Sequence, residues 1–163
     1  MKKYIIFAGD MKKKQLYEEL LPQMAALIEG ESEEMSVLAN VAALLKDHFG
    51  WFWVGFYLVR EGELRVGPFQ GPVACMHIAR GRGVCGTAWE QRQTLVVDDV
   101  EQFPGHIACS TLSRSEIVVP IFRGNGDVAG VIDIDSTELS TFDDTDAEGL
   151  QQVARLIAQT LYQ

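Results

Sequence analysis

The sequence predicts an α+β fold with a largely antiparallel sheet. Three observations predict it. Helical apolar stripes open and close the chain, and strand-like runs are grouped between them. Residues 115–123 and 128–135 are rich in β-branched side chains, and Gly124-Asn125-Gly126-Asp127 separates them as a hairpin turn. One stretch, Gly81-Arg82-Gly83-Val84-Cys85-Gly86, imitates a dinucleotide fingerprint, but its unit falls short of the roughly 30 residues of a parallel crossover. No second parallel unit follows, so these glycines are read as a tight strand-to-helix turn.

Residues 12–29 read as a first helix, with Leu16, Leu20, Met24 and Leu27 in its stripe and a break or kink expected at Pro22. Residues 33–48 read as a second, with Leu38, Ala42 and Leu45 in line. Both can pack on a sheet or on a partner chain. Residues 51–60 form an expected central strand, apolar on both faces. Trp51, Trp53, Gly55 and Tyr57 share one face, and Phe52, Val54, Phe56 and Leu58 the other. Trp53 and Tyr57 are either core or the aromatic wall of a pocket. Gly62 turns the chain and residues 64–69 pair back. Residues 74–79 read as a short strand with Cys75 and His77 on one face. A short helix over 87–93 and a strand over 95–97 follow, then a loop over 101–114 that carries Cys109. The last helix starts near Asp143-Asp144 and presents Leu150, Val153, Ala154, Ile157 and Leu161 on its apolar stripe.

With Asn125-Gly126 at the centre of the hairpin turn, Arg123 faces Val128, Val118 faces Asp133 and Glu116 faces Asp135. Side chains alternate along each strand, so Glu116, Asp133 and Asp135 share one face and Ile117, Val119, Ile132 and Ile134 the other. The acidic face is either the wet side of an antiparallel pair or a cluster with a purpose. Asp is disfavoured in strands and like charges repel across a ladder. Holding a cation or moving a proton are such purposes.

The chain has 163 residues, enough for one domain with a core. Its net charge is −9, from 14 basic and 23 acidic residues. That argues against nonspecific nucleic-acid binding and against attraction to anionic membranes. No apolar run reaches membrane-spanning length, and residues 4–8 are too short for a signal-peptide core. The cytoplasm is therefore the expected compartment. A second methionine at position 11 heads three lysines. Residues 1–10 are set apart as an N-terminal extension of uncertain status, and 11–163 as a single domain.

The three cysteines, Cys75, Cys85 and Cys109, admit three readings. With His77 and His106 they offer zinc-type donors, but the spacing matches no common zinc motif and no metal is expected. They can be buried, inert thiols. Or they form a redox site, in which one thiol attacks an electrophile and a second resolves the oxidised product. Neighbouring carboxylates raise a thiol's pKa and oppose its ionisation. The scheme works if one clustered carboxyl stays protonated and donates its proton to a leaving oxygen.

The stretches GPFQGPVACMHIARGRGVCGTAW, HIACSTLSRSEIVVPI and GVIDIDS closely resemble the free methionine-(R)-sulfoxide reductases, small enzymes built on a single GAF domain. The likeness runs from about the first helix to the last and leaves out residues 1–10. It implies a GAF-like fold, with N- and C-terminal helices packed on a central, largely antiparallel sheet. It implies that Cys109 attacks the sulfoxide sulfur and passes through a sulfenic acid. Cys75 then forms a disulfide with Cys109, and Cys85 is an auxiliary or alternative resolving thiol. Glu116, Asp133 and Asp135 bind the substrate ammonium and protonate its oxygen, while Trp53 and Tyr57 wall the substrate methyl. Thioredoxin is the external reductant, no cofactor is bound, and the family is commonly homodimeric. The residues fit independently: three clustered carboxylates attract the α-ammonium of a free amino acid, which a peptide-bound methionine lacks. Backbone N–H groups of the Cys109 loop, at Ile107 and Ala108, are expected to hold the substrate carboxylate. Two competing functions are a non-catalytic GAF sensor of a small amine or amino acid and a general thiol peroxide sensor.

Overall fold

A computed structural model describes residues 2–107 and 109–163, the side chains of residues 2–10 excepted. Helix α1 spans Lys2–Ile28 and α2 spans Glu34–Phe49. Strands β1 (Trp53–Arg60), β2 (Glu63–Gln70) and β3 (His77–Ala79) follow, then α3 (Gly83–Gln91) and β4 (Leu95–Val97). A 3-10 turn at Val100–Gln102 leads into the long loop. Strands β5 (Ser115–Phe122) and β6 (Val128–Ser136) and helix α4 (Asp144–Leu161) complete the chain.

The six strands form one sheet in the order β3-β2-β1-β6-β5-β4, with every neighbouring pair antiparallel. This is the α+β class read from the sequence. The sheet has two covered faces. On one, α1, α2 and α4 bury Leu20, Met24, Leu38, Leu45, Leu150 and Ile157 against Val54, Phe56, Ile117, Ile132 and Ile134. On the other, α3 and the loops cover a smaller cluster that includes Trp53, Tyr57, Leu64, Cys85, Trp89 and Val118. Helix α4 starts where expected. Asp143 accepts from the Thr145 and Asp146 N–H groups while Asp146 accepts from the Asp143 N–H, a reciprocal cap. The buried Asp146 also takes hydrogen bonds from Lys13 Nζ and the Tyr17 hydroxyl, both 2.8 Å, and so ties α1 to α4.

Several expectations are corrected. Helix α1 runs through Pro22 without ending there. Burial of Leu20 and Met24 on either side holds the turn that proline weakens. Trp51 precedes β1 and packs on the helix side, stacked on Phe49 at 4.1 Å. Phe52 lies against the opposite cluster, so the alternation begins only at Trp53. The strand expected over 74–79 is only His77–Ala79, and Cys75 lies in the loop before it. Helix α3 begins at Gly83, four residues earlier than read, and carries Cys85 into the core. Gly86 explains the glycines there: a Cβ at that position would sit 2.4 Å from the Ala79 carbonyl oxygen, so α3 can press against the β3 end only without one.

The hairpin turn is also different. Gly126 N–H donates to the Arg123 carbonyl and Arg123 N–H to the Asp127 carbonyl, with Gly126 left-handed at φ 92°. This is a three-residue loop closed by a glycine bulge, not a two-residue turn centred on Asn125-Gly126. Arg123 therefore meets Asp127, and Phe122 pairs with Val128. One residue later Ala129 is left over as a bulge, and Ile121 pairs with Gly130. The two slips cancel. Val118 faces Asp133 and Glu116 faces Asp135, as the sequence predicts.

Candidate active site

Two adjacent cross-strand rows build the floor of the site. One row runs Val97, Glu116, Asp135, Trp53 and the next Leu95, Val118, Asp133, Gly55. The three acids thus face the same side of β5 and β6. That face is not wet. Glu116 and Asp133 are 6% and 5% exposed and Asp135 is half-buried, because α3 and the Cys109 loop lie over them. Among the described residues no cation pairs with any of the three.

The electrostatic result is a cluster in which burial disfavours every negative charge. Burial, then the Asp133 charge, pushes the Glu116 carboxyl well above the usual carboxylate range. Asp135 is pushed up by the same causes. Asp133 is also raised by burial, but hydrogen bonds from Glu116 and Cys85 work against the rise. Asp133 is therefore the member best able to carry charge. Its Oδ1 is buried with no hydrogen-bond partner among the described residues.

The thiols fall into two classes. Cys75 and Cys109 are joined in a disulfide, with Cα atoms 5.4 Å apart, inside the usual range for a bridge. Both residues are half-buried at the rim of the cleft. Cys85 is a free, buried thiol, 3% exposed, on the first turns of α3. Its Sγ lies 4.0 Å from Glu116 Oε2, and burial pushes its pKa well up. Cys85, Glu116 and Asp133 bring one donor atom each within 4.8 Å of one another. Cys75, Cys109, His77 and His106 form no such group among the described residues: His77 is exposed and engaged with Glu63.

Trp53 and Tyr57 line the cleft, with ring centroids 5.9 Å apart, and Phe69 continues the stack on Trp53 at 5.1 Å. Their polar ends point to the loop that carries Cys75. Trp53 Nε1 donates to the Pro72 carbonyl (3.0 Å) and the Tyr57 hydroxyl to the Cys75 carbonyl (2.9 Å). The wall therefore also anchors the disulfide loop. Ile107 lines the cleft as well. Its carbonyl accepts from the Cys109 N–H at 3.1 Å. Ala108 lies outside the described residues. Two basic lining residues stand outside the predicted site, the sequence offering His106 only as a zinc-type donor. Arg82, just before α3, and His106, in the Cys109 loop, bring basic groups to an otherwise acidic cleft. Burial lowers the His106 pKa, with the Asp133 charge opposing. Arg82 stands inside the glycine-rich stretch, where the glycines point to a backbone role and mask the side chain between them.

A GAF domain model matches residues 31–161. The chain belongs to the GAF domain family. Within this GAF family some of its relatives are named for a particular chemistry. It is 43% identical over 152 residues to the free methionine-R-sulfoxide reductase of Escherichia coli, covering 93% of this chain and 92% of that one. It is 56% identical over 146 residues to GAF domain-containing protein A of Dictyostelium discoideum, covering 89% and 92%. Among solved structures, the free methionine-R-sulfoxide reductase of Neisseria meningitidis, in complex with its substrate, superposes with a TM-score of 0.89. The two are 53% identical, over 91% of this chain and 89% of that one. This GAF domain is thus a member of the free methionine-R-sulfoxide reductase group, whose members are oxidoreductases acting on sulfur.

Proposed function

We propose that the protein reduces free methionine-(R)-sulfoxide to methionine, using its own thiols as the reductant. Cys109 sulfur attacks the sulfoxide sulfur, and the oxygen passes to Cys109 as a sulfenic acid while methionine leaves. A clustered carboxyl, Glu116 or Asp135, supplies the proton that the sulfoxide oxygen needs as its bond to sulfur weakens. Cys75 thiol then attacks the sulfenic sulfur, water departs and the disulfide forms. Two electrons from a dithiol donor such as thioredoxin restore both thiols. Cys85 is better placed as an auxiliary thiol, because the deep burial that raises its pKa makes it a poor nucleophile.

The observation that carries the reading is the Cys75–Cys109 disulfide at the rim of a cleft floored by Glu116, Asp133 and Asp135. Once reduced, that pair is a two-electron store beside a proton store, the two things a sulfoxide reduction consumes. Asp133 is suited to the substrate ammonium, Arg82 to its carboxylate, and the stacked Trp53 and Tyr57 to its methyl. The likeness to proteins named for this activity, in E. coli and N. meningitidis, supplies the substrate and its R configuration. The reading extends, on the family resemblance alone, to a homodimer in the cytoplasm.

The test is a coupled assay with thioredoxin, its reductase and NADPH, supplied with the R and S epimers separately. NADPH oxidation with the R epimer only, lost in Cys109→Ser, is the expected result. A ligand affinity unchanged in Cys109→Ser, with no turnover in the parent protein, would make it a sensor instead. Equal reaction with hydrogen peroxide, independent of Glu116, would make it a peroxide sensor.

A further inference from the structure

Cys85 is no more than an auxiliary thiol in the proposed reaction, and Asp133 Oδ1 is buried with no hydrogen-bond partner among the described residues. We propose that Cys85, Glu116 and Asp133 form a binding site for a thiophilic divalent cation of the zinc class. The proposal stands on two independent observations. The three donor atoms, one thiol sulfur and two carboxylate oxygens, converge within 4.8 Å from α3, β5 and β6. Separately, Asp133 Oδ1 is buried in the same cleft with no hydrogen bond among the described residues, on a side chain only 5% exposed.

The donor set selects the ion. Magnesium and calcium take oxygen ligands alone, whereas a thiolate beside carboxylates suits zinc or cadmium. Two donors on one zinc ion, at about 2.3 Å for sulfur and about 2.0–2.2 Å for oxygen, lie somewhat closer together than Cys85 Sγ and Glu116 Oε2 do at 4.0 Å. A small rotation of the Glu116 side chain supplies the difference. A substrate ammonium needs only the oxygens; the sulfur among them is what points to a metal. On binding, the thiol proton and any carboxyl proton displaced pass to solvent, and the double charge is met by one thiolate and two carboxylates. His106 lines the same cleft but stands outside the three-donor group. Under the reductase reading, occupancy removes both the ammonium site and the proton donor, so the ion inhibits competitively with substrate.

The binding test does not depend on that reading. The chain has three cysteines and two are tied in the disulfide, so the oxidised protein offers one thiol. The oxidised protein, freed of metal with a chelator that is then removed, is titrated with Co2+ and with Zn2+. The expected result is one ion per chain and a sulfur-to-cobalt charge-transfer band that Zn2+ displaces. The band vanishes in Cys85→Ser. Asp133→Asn weakens binding by more than the roughly 10–100-fold that loss of an outer-shell partner costs a metal site. No charge-transfer band in the parent protein, or binding of equal strength in Cys85→Ser, overturns the proposal. The parent's band decides the matter even where a variant fails to fold. Tight binding without any inhibition of turnover would leave the metal site standing and remove the assigned roles of Glu116 and Asp133.

Discussion

Glu116→Gln tests the electrostatics of the site through stability alone. In the unfolded chain Glu116 titrates near the ordinary value of 4.5, and in the fold burial and Asp133 push it well above that. Between those two pH values the native state holds a proton that the unfolded state has released. Stability then falls as pH rises, by about 1.4 kcal/mol per pH unit for each such proton. The stability is fully present below the unfolded value and is lost on the way up to the folded one. An amide cannot ionise, so the Glu116→Gln variant escapes that loss. Asp133 and Asp135 are raised as well and keep their own slopes. The variant should therefore lose less stability than the parent as pH rises above the ordinary carboxylate range, by up to about 1.4 kcal/mol per pH unit until the folded Glu116 gives up its proton. The assay is urea unfolding of the disulfide-intact proteins at several pH values, with a chelator present so that protons alone occupy the cluster. Parallel pH profiles for parent and variant would refute the claim that Glu116 is protonated in the fold.

Other expectations follow from single contacts. Tyr57→Phe keeps the aromatic stack but removes the hydrogen bond to the Cys75 carbonyl, and should cost about 1 kcal/mol in the same unfolding assay. Asp146→Ala removes a fully buried carboxylate that joins Lys13, Tyr17 and the α4 cap. It should cost at least ~3 kcal/mol, read as a fall in the urea midpoint. Cys75→Ser should give one equivalent of methionine per chain in a rapid-mix experiment and then stall with thioredoxin; sustained turnover would move the resolving role to Cys85.

The fold was legible where side-chain pattern alone decides structure. The stripe of α4, its Asp143 cap and the alternation of Ile117, Val119, Ile132 and Ile134 each follow from residue type and spacing. The shared face of the three acids was legible too, though by way of a turn read incorrectly. The extra residue in the Gly124–Gly126 loop is cancelled by the Ala129 bulge, and neither slip has a signature in the β-branched runs. The start of α3 was hidden because Gly83 and Gly86 are poor helix formers. They are there to let the helix approach β3, a tertiary constraint that local propensity does not express. Burial of the acid face was hidden for the same reason: alternation separates two faces but does not say that α3 and a loop will cover the polar one. The polar ends of Trp53 and Tyr57 reach the Cys75 loop 19 and 18 residues away, a link that no periodicity contains.

The burial of these acids separates binding from chemistry, and the separation can be measured. A site meant only to attract an ammonium gains from ionised carboxylates open to its field. A covered cluster without a paired cation gives up part of that attraction, because burial disfavours the charged form of each member. What it gains is a proton within reach of the cleft, and a weaker negative field against ionisation of the Cys109 thiol. Under the proposed reductase reading two of the acids divide the work. Asp133 is the one whose rise is opposed by hydrogen bonds from Glu116 and Cys85, so it is the one left to meet an ammonium. Glu116 is the one whose proton the neighbouring charge holds in place. Asp133→Asn should chiefly raise KM for free methionine-(R)-sulfoxide, whereas Glu116→Gln should chiefly lower kcat, by the roughly 10²–10⁴-fold that a lost proton donor costs. Measured on disulfide-competent, folded proteins, the reverse assignment would exchange the two roles. A rise in KM alone for both variants would mean that the acids only bind.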